Sequence, residues 1–97
     1  MFEPLDSLLH QQVRLAIVSL LINLKSADFK YLLENIETTK GNLSFQLGKL
    51  NEAGYIKIEK SLKGNYPLTT CSITDKGIEA FEGYIIALRS YVDRLKD

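Results

Sequence analysis

A chain of 97 residues, 45% hydrophobic and 25% charged, holds one modest globular core and is not a disordered polymer. Twelve Lys/Arg balance twelve Asp/Glu, which argues against an indiscriminate polyanion binder. Cys71 is the single cysteine, which excludes an internal disulfide; with the acidic start MFEPLDSLL, unlike a signal peptide, it points to a cytoplasmic protein.

The first element expected is a helix over residues 5–24, capped by Asp6 or Ser7, with a slight break near His10. From Val13 to Leu24 its apolar residues cover nearly the whole circumference. A helix apolar all round is buried all round, so one side should face the core and the other a partner chain. Next, Phe29, Leu32, Leu33 and Ile36 fall at i, i+3, i+4 and i+7, a short second helix with Ser26 or Asp28 as N-cap.

A third helix follows within a few residues, started by Thr38 or Thr39 and ended by Gly54 in a left-handed cap. Residues 26–54 thus read as a helix-turn-helix. Leu43, Leu47 and Leu50 form its inner stripe. On its far side sit two glycines, Gly41 and Gly48, and an aromatic, Phe45. Each interior glycine costs roughly 0.5–1 kcal/mol against alanine, an odd choice for a small domain.

Beyond Gly54 the period changes from 3.6 to 2. Ile56 and Ile58 alternate with Lys57 and Glu59; SLKGNYPL reads as a turn; Cys71 and Ile73 share one face of a second strand. Residues 55–73 are therefore a hairpin. Thr74 caps a last helix over residues 74–96, with Asp75 in its first turn. Ile78, Phe81, Ile85, Leu88, Val92 and Leu95 are spaced alternately three and four apart, a heptad seam. The fold class is mainly α with a small β-hairpin, a winged helix-turn-helix with a long C-terminal dimerisation helix, in a single domain spanning residues 1–97.

Charge is unevenly placed. Residues 38–64 carry five lysines against two glutamates, a surplus of +3, while residues 1–37 stand at −2 and residues 65–97 at −1. The positive segment is the one that holds the third helix and the hairpin.

Three stretches in order carry a family resemblance: HQQVRLAIVSLL, GNLSFQLGKLNEAGYI and ITDKGIEAF. On these the chain resembles the small stand-alone winged-helix transcriptional regulators of the MarR/ArsR-like superfamily. It has Phe45 and Gln46 where many relatives have Arg or His, and Lys63 is the one base at its hairpin tip. The resemblance implies a dimeric regulator, a repressor by expectation, that binds double-stranded DNA at an inverted-repeat operator with the third helix in the major groove.

The candidate DNA-binding residues are Thr38, Thr39, Lys40, Asn42, Ser44, Phe45, Gln46 and Lys49 of the third helix and its start, with Lys63 and Asn65 at the hairpin tip. Asn and Gln match the donor–acceptor pair of adenine, Phe meets a thymine methyl, and lysines neutralise phosphates. The candidate dimer residues are Leu9, Val13 and Ile17 with Tyr84, Ile85, Leu88, Tyr91, Val92 and Leu95. His10 and Cys71 stand in different elements and cannot build a zinc-class site, so no metal or other cofactor is expected. No catalytic constellation is present in the sequence, and no enzyme activity is expected. The alternative is a winged-helix protein-interaction module without DNA binding, favoured by zero net charge, the outward Phe45 and the arginine-free hairpin.

Overall fold

The computed structural model describes residues 1–96. In chain order it contains α1 (Gln12–Leu24), β1 (Ser26–Asp28), α2 (Phe29–Asn35), α3 (Lys40–Glu52), β2 (Ile56–Lys63), β3 (Tyr66–Ile73) and α4 (Asp75–Val92), closed by a 3-10 turn at Asp93–Lys96. The strands form one antiparallel sheet in the order β1-β3-β2. This is the expected winged helix-turn-helix with a long last helix.

Four boundaries differ from the sequence reading. Residues 7–9 form a separate turn, so α1 starts at Gln12 and not at Leu5. Asp6 caps that turn, its Oδ1 accepting from the N–H groups of Leu8 (2.8 Å) and Leu9 (3.2 Å). Gln11 is extended and caps α1 with its own side-chain oxygen. Two distant tyrosines anchor the turn: Tyr55 Oη donates to Asp6 Oδ2, and Tyr84 Oη shares a 2.9 Å hydrogen bond with His10 Nδ1.

The second difference is β1, three residues with no alternation to announce them. It pairs with β3 at Ser26↔Ser72, Ala27↔Cys71 and Asp28↔Thr70, and Asp28 then caps α2. Third, the two strands of the hairpin are longer than expected, because the turn is only Gly64-Asn65, with Gly64 at φ +65°. Pro67 lies inside β3 opposite Leu62. In a hairpin closed by two residues, Lys63 and Tyr66 form the hydrogen-bonded pair, so the backbone groups of the next pair point outwards. β1 reaches only Thr70–Ser72, so the proline nitrogen meets an open edge and no ladder bond is missed. Last, α4 ends at Val92, where the chain tightens into the 3-10 turn.

The core is built around α1. Leu9, Ile17, Val18, Leu21, Leu32, Leu43, Leu50 and Cys71 are fully buried, and Ile56 nearly so. Thr39 and Thr74 are the N-caps of α3 and α4, and Gly54 ends the α3 corner at φ +80°. Gly77, in the first turn of α4, is required by contact: a Cβ there would lie 2.2 Å from the Tyr55 carbonyl oxygen. That close approach locks α4 to the α3–β2 corner, a junction also held by Thr74 Oγ1 donating to the Gly54 carbonyl at 2.6 Å.

Candidate nucleic-acid interface

α3 buries Leu43, Leu47 and Leu50 and leaves Lys40, Gly41, Ser44, Phe45, Lys49 and Glu52 in solvent. Phe45 is 60% exposed, and the Lys49 ammonium lies 5.1 Å from its ring centroid, a cation–π contact on the helix surface. Nothing lies within 4 Å of where a Cβ would stand at Gly41 or Gly48. The two glycines are therefore not explained by packing inside this protomer.

The structure separates the candidate contact residues into two groups. Lys40, Ser44, Phe45 and Lys49 share the open face, and Lys63 and Asn65 are exposed at the hairpin tip. Asn42 and Gln46 are tied into the protein. Arg14 donates from Nε to the Leu8 carbonyl and from Nη1 to Gln46 Oε1; Gln46 Nε2 donates to Asn42 Oδ1 (3.1 Å), and Asn42 Nδ2 donates to Thr38 Oγ1 (2.9 Å). Gln46 is 7% exposed. Its amide is spent on this chain of bonds, so the flank residue faces the protein and not the open side of α3. A side chain on the flank of a helical wheel turns inwards when a partner of the right chemistry waits there. Arg14, absent from the sequence-based candidates, is that partner; no local pattern pairs a residue of α1 with one of α3.

The hairpin stands beside α3. A groove of about 420 Å³ separates them, lined by Ser44, Leu47 and Gly48 on the helix and Ile58, Lys60 and Thr69 on the strands, with Phe29 at one end. The register puts Ile56, Ile58, Lys60 and Leu62 of β2 on the same face as Ile73, Cys71, Thr69 and Pro67 of β3. Toward the base of the hairpin this face is core; toward its tip the same face is in solvent.

The candidate dimer residues also divide. Leu9, Val13, Ile17 and Tyr84 are inside the protomer's own core, and Tyr91 stacks on Phe2 of the N-terminal segment at 4.7 Å. The first four are occupied, because the turn at residues 7–9 and the N-terminal segment fold back over α1 and α4; Tyr91 is partly covered and still 38% exposed. What remains in solvent is Val92 (48% exposed) and Leu95 (88%), together with Ile86 (60%), which the heptad reading missed. Ile85 and Leu88 are half-buried. Ile22, Ile78, Phe81, Ile85 and Ile86 line an apolar groove of about 630 Å³ between α1 and α4, edged by Lys25, Glu82 and Arg89.

Among the described residues two groups have displaced titrations. The hydrogen bond to Asp6, then burial, then the Asp6 charge push the Tyr55 hydroxyl up to about 12. Burial pushes the Cys71 thiol up to about 11, so thiolate is scarce at neutral pH and the side chain serves as packing. Among the described residues no helix is long and apolar enough to cross a membrane.

A helix-turn-helix whose second helix keeps its outer face bare, set beside a projecting hairpin, is the build of a winged-helix protein. Residues 13–92 match the model of the winged helix DNA-binding domain, and the chain belongs to that family. It is 41% identical over 73 residues to an uncharacterized protein of Methanocaldococcus jannaschii, covering 75% of this chain and 79% of that one. Its fold matches a transcriptional regulator homologue from Pyrococcus horikoshii OT3 with a TM-score of 0.85 and 29% identity, over 93% of this chain and 89% of that one. An ArsR family transcriptional regulator shares the fold with a TM-score of 0.59 and 17% identity, over 89% of this chain and 84% of that one. The winged-helix resemblance drawn from the three sequence stretches is thus shown, and the family is one of DNA-binding domains.

Proposed function

We propose that the chain acts in the cytoplasm as a homodimeric repressor that binds double-stranded DNA at an inverted-repeat operator with α3 in the major groove. The observation that carries this reading is the outer face of α3: Lys40, Gly41, Ser44, Phe45 and Lys49 are left uncovered by the rest of the chain. Ser44 there meets base edges, Phe45 meets thymine methyls, and Lys40 and Lys49 meet phosphates. Gly41 and Gly48 let the helix backbone approach the duplex closely. Thr39 keeps its capping role, and the Thr38–Asn42–Gln46–Arg14 chain holds α3 at a fixed depth against α1.

The dimer rests on α4. In an antiparallel pairing about a two-fold axis between positions 85 and 86, Ile86 meets the partner's Ile85 and Glu82 meets the partner's Arg89. The stripe of α4 that borders the apolar groove is therefore self-complementary in charge and in the placing of its apolar residues, which an isologous interface needs. Two copies so joined would bring their α3 helices toward successive major grooves, about 34–36 Å apart.

Selection of bound duplexes from a random pool tests the reading, and enrichment of an inverted repeat is the expected outcome. A protein-interaction module remains the competing role, favoured by the exposed Phe45 and the zero net charge. It predicts no enrichment and no steep loss of duplex binding with salt.

A further inference from the structure

Phe45 is the one side chain of α3 that is large, apolar and exposed to solvent. Its neighbours on the helix surface, four residues back and three ahead, are Gly41 and Gly48. A Cβ at either would meet nothing within 4 Å, so the ring stands alone on a strip of bare backbone. Lys49, one turn further on, sets its ammonium over the ring and restrains it from that side. Arginine and the side-chain amides, which read guanine and adenine in the major groove, are absent from this strip or engaged. Residues 38–54 contain no arginine and no histidine. The amides of Asn42 and Gln46 are bonded to each other, with Thr38 and Arg14 at the two ends of the chain.

We propose that Phe45 is a reader of 5-methylpyrimidines: it selects thymine at one position of each half-site and accepts 5-methylcytosine in its place, so that cytosine methylation of the target sets the strength of binding. This deepens the DNA-binding reading and rests on it. An aromatic ring offers a base edge no hydrogen bond. It gains only where it meets an apolar group, and the 5-methyl of thymine is the apolar group that an unmodified major groove presents. Against adenine, guanine or plain cytosine the ring would strip water from N7, O6 or an amino group and supply no partner in return. The methyl of 5-methylcytosine stands at the same ring position as that of thymine, so this contact treats the two alike. The glycines bring the contact within reach. A helix with full side chains is about 10–12 Å across and already fills a groove about 12 Å wide, whereas bare backbone on both sides of the ring lets the helix sit deeper. Burying one methyl group corresponds to about a fourfold gain in affinity per half-site.

The test uses the full chain and a duplex carrying the motif enriched from the random pool. Each thymine of the motif is replaced in turn, in both half-sites together, by uracil, by cytosine and by 5-methylcytosine. At one position the parent should lose about fourfold per half-site from thymine to uracil, a change that removes the methyl and leaves the base pair intact. At that same position it should gain about as much from cytosine to 5-methylcytosine. Phe45→Ala, measured at a salt concentration low enough for it to bind, should show neither difference. Circular dichroism should show this variant folded, since the ring is in solvent. The inference is overturned if no thymine of the motif responds to loss of its methyl group. It is also overturned if cytosine and 5-methylcytosine bind alike at the responsive position, or if Phe45→Ala keeps the differences. A parent that enriches no duplex overturns the DNA-binding reading itself.

Discussion

At the scale of single residues, α3 divides its side chains between holding the helix and facing solvent. Gly41 and Gly48 have open space where a Cβ would go, so Gly48→Ala should raise stability by about 0.5–1 kcal/mol, several degrees in melting temperature for a chain this size. The same substitution should weaken duplex binding if the helix backbone sits against the groove; unchanged binding would mean the glycine has no part in it. Gln46 is the converse case. Gln46→Ala strands the Arg14 guanidinium and the Asn42 amide, and thermal unfolding should report a loss of about 1–3 kcal/mol. Duplex binding should then fall evenly across single-base variants of the operator, because a displaced helix loses every contact together. A change of preference at one base would instead make Gln46 a reader. Tyr55 carries a pH signature. Its folded titration near 12 lies above the ordinary value of 10, so the neutral form is the one the fold favours. Its contribution is whole below pH 10 and is lost as the pH rises from 10 to 12. Tyr55→Phe should remove that step from the difference between the two unfolding profiles.

Among the elements, α4 presents two different faces. Gly77, Tyr84 and Ala87 seat it in the protomer, and Glu82, Ile86 and Arg89 look outwards. Ile86→Glu should therefore yield a folded monomer, as seen by light scattering with circular dichroism. Glu82→Arg alone sets like charges against each other at the two symmetric contacts and should raise the dimer dissociation constant by about tenfold or more. Adding Arg89→Glu restores opposite charges and should recover the dimer in sedimentation equilibrium. If the double variant stays as weak as the single one, the antiparallel register is wrong. Leu88, on the heptad seam, is a poor probe because it is half-buried and a charge there would disturb the fold as well.

The whole molecule is elongated. Its radius of gyration is 14.8 Å, against about 12.5 Å for a compact chain of this length, and its extents are 57 × 25 × 21 Å. Net neutrality conceals a polarised layout, with the +3 segment confined to α3 and the hairpin. Specific binding should therefore be salt-sensitive even at zero net charge. With Lys40, Lys49 and Lys63 of two protomers on phosphates, the log–log slope should be roughly −5. A slope near zero would remove the lysines from the interface and favour the protein-docking role.

Periodicity alone settled the fold class. Leucines three and four apart made α3, alternating isoleucines made the hairpin, and Thr39, Gly54 and Thr74 marked boundaries, because caps and turns depend on bonds within a few residues. The outward side of α3 was legible for the same reason, and so were its exposed Lys40, Phe45 and Lys49. Tertiary structure decided what depends on residues far apart in the chain. Ser26–Asp28 became a strand only because β3 offered an open edge, and Gln46 turned inwards only because Arg14 was there to bond it. Leu9, Val13, Ile17 and Tyr84 could be read as apolar from sequence. Whether they would be covered by their own chain or by another was set by the turn at residues 7–9, which Tyr55 and Tyr84 hold from distant parts of the sequence. A hydrophobic pattern states that a face must be buried, and only the packed molecule determines by what.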